Sequence, residues 1–279
     1  MKFCTNCQTE LPDEAKFCYN CGVPQPQINI APTSEYEYDL DLSKELSPQI
    51  VDLFFKAFQD RITEEHRAEQ HKEYVELLYK VGFRESVQLR ADQMASTIKK
   101  EDLDTKARQQ LLENSFEGLM DYFIIHYAKE LNTIALPDQI LKYEGLTLAQ
   151  IDLFQLIMDY LQFEVEEETL YTDFFQMPAK KVRNASNSFL FAENNERIFF
   201  ICDQSVLGSC KEGFAMTEQA LYWKMPLQKA ERVYYDKIQE VKREKSWLMI
   251  NGMFFNVNAS INLKMMKLLK KLKRLHSFS

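Results

Sequence analysis

Glycine is scarce in this chain, with seven among 279 residues. None of the seven builds a phosphate-cradling loop, a dinucleotide fingerprint or the elbow that exposes a catalytic serine. Also missing is any apolar run approaching the roughly 20 residues that cross a bilayer; "YFII" and "WLMI" are the best candidates. No secretory signal precedes the first cysteines, so the expectation is a cytoplasmic protein in which Cys202 and Cys210 stay reduced as small apolar core residues. For the same reason the sequons at Asn184 and Asn258 carry no weight. Histidine is rare too, with four in all. His66 and His71 stand five apart, about 140° around a helix, which fails the spacing of four that sets two imidazoles over one metal. His126, inside "YFIIHYAKE", reads as a helix-packing residue. These absences point away from an enzyme, although a site of unrecognised type in the helical middle of the chain is kept as an alternative.

Cysteine, by contrast, is concentrated. "CTNCQTELPDEAKFCYNC" carries Cys4, Cys7, Cys18 and Cys21 in two C-x-x-C pairs. Two thiolates separated by two residues turn inward from one tight knuckle, and two facing knuckles place four sulfurs at tetrahedral corners, the arrangement zinc takes in structural sites. Gly22 supplies the backbone freedom for leaving the second knuckle. A module of this size has too little apolar surface to fold by burial alone, whereas structural zinc contributes on the order of 10 kcal/mol or more. A redox dithiol, a pair of disulfides and a rubredoxin-like iron site are the competing readings. Redox C-x-x-C pairs come singly within a βαβ pattern, which is absent here. Four cysteines leave no open coordination position, so the expected ion, one zinc, is structural.

The pattern, including "ELPDEAKFCYNCG", resembles the short zinc ribbon found at the N-terminus of many bacterial proteins. That resemblance implies a protein-binding or nucleic-acid-binding knob. Phe3, Phe17 and Tyr19 are its candidate contact residues.

Beyond the ribbon, assigned to residues 1–23, the proline-bearing stretch 24–46 reads as a linker. Residues 47–175 read as a helical domain. Its first helix is expected from Ser47 as N-cap with Pro48 behind it, running toward Gly82; the second starts at Asp104 or Thr105, and the third at Thr147. Residues 176–182 read as a second linker. From 183 to 279 the period changes to short aromatic and β-branched runs separated by turns. Asn251-Gly252 between "WLMI" and "MFFNV" is the strongest hairpin signal among them. The closing run "INLKMMKLLKKLKRLH" lines Ile261, Met265, Leu268, Leu272 and Leu275 along one helical stripe. This order, with "GFAMTEQALYWK" read as two strands about a turn, resembles the bacterial pleckstrin-homology-like domain: a small sheet or barrel capped by an amphipathic helix. The segment "VLGSCKEG" offers just Lys211, which speaks against phosphoinositide binding.

Charge is unevenly placed. Tyr143 to Ala179 holds eight acids and no lysine or arginine, while Lys245 to the end holds seven basic residues and no acid. Against a total of −8, the residues before that tail carry −15. The expectation is a capping helix with a solvated lysine face. Lys264, Lys267, Lys270, Lys271, Lys273 and Arg274 would then be available to an anionic partner or to the acidic segment of the same chain. The acidic "EVEEE" after the third helix is likewise expected to be solvated.

Together these readings describe a multidomain α+β chain with a zinc ribbon, an all-helical middle and a pleckstrin-homology-like end. The expected role is a non-enzymatic adaptor or regulatory protein that binds partner proteins, with self-association as a further expectation. Nucleic-acid binding through the ribbon and the basic helix is the alternative. An acidic pI of about 5.2 weighs against it.

Overall fold

A computed structural model describes residues 2–3, 9–11, 20–21, 38–65, 70–132, 134–193 and 195–277. At the N-terminus two short strands, β1 (Lys2–Phe3) and β2 (Glu10–Leu11), pair antiparallel, Lys2 opposite Leu11 and Phe3 opposite Glu10.

The middle of the chain is helical. Helix α1 (Leu46–Glu65) buries Ile50, Phe54, Phe58 and Ile62 along one stripe. It begins one residue before the expected cap. The Ser47 hydroxyl, instead of capping, accepts from Gln88 and donates to Asp92 on α3 (Phe83–Glu101). The expected continuation to Gly82 is a separate helix, α2 (His71–Lys80); His66 lies outside the described residues. Helix α3 itself was not foreseen. Its buried face, Val87, Ala91, Met94, Ala95 and Ile98, is regularly spaced but diluted by two alanines, so its apolar signal is weak.

Helix α4 (Thr105–His126) starts where expected, with Asp104 accepting from the Ala107 N–H at 2.7 Å. Rather than one buried face it is buried on most sides, because α1, α3 and the C-terminal helix surround it. His126 is exposed at its end and rests against Tyr122, 4.4 Å between ring centres, so it is not the packing residue that was expected. The third helix starts later than expected. Thr147 and Gln150 close a capping box on a single 3₁₀ turn, and α5 (Leu153–Leu161) is capped by Asp152.

Strand β3 (Thr169–Tyr171) falls inside the segment read as helical, and α6 (Ala179–Ser188) begins within the expected second linker. Strands β4 (Ile198–Asp203), β5 (Gly213–Thr217), β6 (Ala220–Lys224) and β7 (Glu231–Tyr234) follow as an antiparallel meander, with β3 added at the β4 edge. The residues before β4 are irregular; Phe189 and Leu190 are buried at the exit of α6, and Asn194 lies outside the described residues. A second sheet joins β8 (Val241–Glu244), β9 (Trp247–Ile250) and β10 (Met253–Phe255), again antiparallel. The two sheets stay separate among the described residues and form no closed barrel. They are tied by the Trp223 indole, which donates to the Phe254 carbonyl at 2.8 Å while its ring packs on Phe255. The chain ends in α7 (Ala259–Ser277).

Alternation along the five-stranded sheet explains its burial on both faces. Phe200, Cys202, Phe214, Met216 and Trp223 face the main core, while Ile201, Ala215 and Tyr222 face a smaller cluster closed by Met177, Ala185 and Phe189. The main core is continuous from Leu46 to Leu275, so the helical middle and the sheets share it. No helix among the described residues is long and apolar enough to cross a membrane.

Candidate functional site

Two places carry the chemistry: the cysteine-bearing N-terminus and the basic C-terminal helix. At the first, the β1–β2 pairing sets Lys2–Phe3 beside Glu10–Leu11. Asn20 donates to the Thr9 hydroxyl at 3.1 Å, which sets the residue before Cys21 beside the residue two after Cys7. The two halves of the cysteine pattern are thereby tied to each other, as a two-knuckle metal site requires. Cys21 sits half-buried in a turn; Cys4, Cys7 and Cys18 lie outside the described residues, as do Phe17, Tyr19 and the Phe3 side chain. Four thiols and this tie fit zinc, whose soft-ligand tetrahedral preference they match.

Cys202 and Cys210 are fully buried thiols far along the chain. Burial pushes both upward, Cys210 to about 12 with help from Asp203, so both stay protonated and unreactive near neutral pH.

The basic helix differs sharply from expectation. Its lysines do not face water: Lys264, Lys267, Lys270, Lys271, Lys273 and Arg274 are all buried. Lys267 lies 2.9 Å from Asp121 and 3.4 Å from both Glu65 and Glu117. Arg274 reaches Glu117 at 3.3 Å, and Lys270 pairs with Glu64. Arg61 of α1 completes the cluster, 3.0 Å from Glu65 and 3.4 Å from Glu117, and paired with Asp121. Lys273 donates to the Gln239 carbonyl at 2.7 Å, and Lys271 to the Tyr143 carbonyl at 2.8 Å.

The reason lies in what α7 packs against. One side meets the 3₁₀ turn Tyr235–Lys237 and strands β8 and β9, and the other meets α5 and the acidic faces of α1 and α4. Sealed between layers, a buried unpaired ammonium costs several kcal/mol, and Lys264, Lys267, Lys270 and Arg274 each meet a carboxylate. Burial alone would raise the Glu65 and Glu117 carboxyls, but the surrounding cations dominate and hold Glu65 down at about 2 and Glu117 well below the ordinary range.

A second contact meets the start of α7. Glu166 accepts from Lys264 and from the Ser260 hydroxyl, both at 2.6 Å, and Glu168 accepts from Asn258 at 2.9 Å. Asn258 in turn accepts from the Ile261 N–H at 2.8 Å, so the helix begins beneath two carboxylates that complement its dipole. Part of "EVEEE", expected to be solvated, is therefore bound to α7. Of the acidic segment, Glu166 is the residue that ion-pairs with the basic helix; the main cluster draws on α1 and α4 instead.

Arg61, Glu65, Glu117 and Asp121 were not singled out from the sequence. The usable signal was Glu113, Glu117 and Asp121 at intervals of four along a helix otherwise rich in apolar residues. Beside the cluster, Lys271 and Arg274 border a cleft of about 240 Å³ opened by the 3₁₀ turn Leu148–Gln150.

No curated protein and no solved structure proved similar to the chain. Residues 3–24 match the zinc-ribbon domain family.

Proposed function

We propose that the chain is a non-enzymatic adaptor in which the N-terminal zinc ribbon grips a partner protein and the α+β body holds that grip on a rigid support. In this reading Cys4, Cys7, Cys18 and Cys21 hold one structural zinc ion, and Phe3, Phe17 and Tyr19 supply the contact surface. The observation that carries it is the match of residues 3–24 to the zinc-ribbon domain, a module with four thiol ligands and no coordination position left for catalysis.

The C-terminal part is read as pleckstrin-homology-like. Support comes from its order: a four-stranded meander β4 to β7, a three-stranded meander β8 to β10, then a closing helix packed on the second sheet. The nucleic-acid alternative drew its phosphate affinity from the lysines of α7; these are buried, and Lys264, Lys267 and Lys270 meet internal carboxylates.

The test is purification of the tagged full chain from its own cells with nuclease treatment, beside Cys18→Ser. Zinc analysis should give about one ion per wild-type chain and a loss in the variant. A protein retained by wild type and lost from Cys18→Ser, with the melting of the body unchanged, supports the adaptor. Retention of every partner by the variant, or by a Phe3→Ala, Phe17→Ala, Tyr19→Ala triple variant, overturns the ribbon as the grip.

A further inference from the structure

Lys271 differs from the cations of α7 that meet a carboxylate. Its neighbours Lys267, Lys270 and Arg274 pair with Glu65, Glu117, Asp121 and Glu64, but no carboxylate lies within ion-pair distance of Lys271 among the described residues. Its one hydrogen bond is to a main-chain carbonyl, that of Tyr143. An ammonium so placed is desolvated, and Asp121, Glu117 and Glu144, which act on it from beyond ion-pair distance, do not offset that cost, so a further anion at closer range would be favoured.

The space beside it has a consistent character. Lys271 and Arg274 form one wall of the 240 Å³ cleft, Gln110 and Asn114 of α4 offer amides from another, and Leu146 and Leu148 close the remaining side. No acidic residue lines it. Two cations with neutral hydrogen-bonding groups recognise an oxyanion, and the leucines accommodate a short apolar tail. A volume somewhat below the usual range for cofactor pockets, about 300 to 1,000 Å³, limits the ligand to a small molecule.

We propose that this cleft binds a small organic oxyanion, a carboxylate or phosphate ester carrying a short apolar chain, with Lys271 and Arg274 holding its head group. Burial, with Arg274 adding to it, lowers Lys271 to about 8, so the side chain is largely charged at neutral pH and gains most from an incoming anion. Bound there, the ligand would touch α4, α7 and the turn between α4 and α5 together, and would stabilise the seam between the helical layer and the C-terminal helix.

The full chain should be titrated calorimetrically with hexanoate, hexyl phosphate and, as the oppositely charged control, hexylamine. Saturable binding of hexanoate or hexyl phosphate, with none for hexylamine, is the expected result, and the stronger of the two identifies the head group. Lys271→Met should weaken it by about tenfold or more, the loss of one charge-assisted contact. Ala149→Phe, at an exposed position on the cleft rim, should block it sterically while leaving the core untouched. No saturable binding of either anion, or equal binding by wild type and both variants, or equal binding of hexylamine, overturns the site.

Discussion

The ammonium of Lys267 lies 2.9 Å from a carboxylate oxygen of Asp121, joining the C-terminal helix to the centre of the helical layer. The Lys267 side chain is 3% exposed. Through this pair and its neighbours Glu65 and Glu117, the last nineteen-residue helix is fastened to elements formed far earlier in the chain.

Removing one partner from such a cluster leaves the others buried and uncompensated. Lys267→Ala should therefore cost about 3 to 5 kcal/mol, well beyond an ordinary surface lysine change. Urea unfolding of the variant checks this. Loss below about 1 kcal/mol would mean that the pair is hydrated in solution.

Acid should undo the same fastening. Glu65, at about 2, and Glu117 both ionise far more readily folded than unfolded, so their contribution is fully present above the unfolded carboxyl range near 4.5. It is lost as pH falls through their folded values. Glu166, held low against burial by Lys264 and Ser260, acts in the same direction. The urea midpoint should fall gently from pH 7 to about 5, where burial holds the His276 imidazole below its ordinary 6.5, and then steeply toward pH 2.5 as the carboxylates protonate.

Lys271 contributes a penalty rather than a gain, with the same direction of pH dependence in an alkaline window. Its folded value, about 8, lies below the ordinary 10.5, so the folded state holds the proton less tightly than the unfolded one. The penalty is complete below pH 8 and is relieved as pH rises toward 10.5. Lys271→Met removes the penalty, about 3 kcal/mol from the shift, and leaves the Tyr143 carbonyl without its donor, about 1 kcal/mol. The variant should be more stable than wild type by about 2 kcal/mol at pH 7, and the gap should narrow at pH 10. Thermal melts at the two pH values measure it.

The Asn251-Gly252 turn joins β9 to β10 with both residues at positive φ, 48° and 76°, as the tight hairpin requires. Asn251 does more than turn. Its side chain accepts from the N–H groups of Gln239 and Glu240 at 2.8 and 3.0 Å and donates to the Lys237 carbonyl at 2.8 Å, pinning the loop that leads into β8. Gly252→Ala should cost about 1 kcal/mol and Asn251→Ala about 2 to 3, because the latter loses three hydrogen bonds as well. Equal costs in thermal melts would show that only the backbone angle matters.

How far the sequence reaches depends on how local each feature is. The Asp104 cap, the Asn-Gly hairpin, the strand pair about Thr217 to Ala220 and the stripe on α7 follow from residues within a few positions of one another, and all were legible. So was the cysteine spacing, whose chemistry is complete within eighteen residues. Helix α3 escaped because alanines dilute its apolar face, and the helix at 153 was placed early because Thr147 caps a turn that chain direction then breaks.

Composition and local spacing by themselves determined an N-terminal module of the zinc-ribbon type, a helical middle, a hairpin-rich C-terminal part and an amphipathic final helix. Only the tertiary structure decided where that helix puts its charge. A lysine opposite an apolar stripe reads as solvated whether water or a carboxylate lies beyond it. Here Glu64, Glu65, Glu117 and Asp121 lie beyond it, brought from α1 and α4 across a shared core. Electrostatic pairing in a sealed seam depends on which surfaces meet in space, and no periodicity along one helix carries that information.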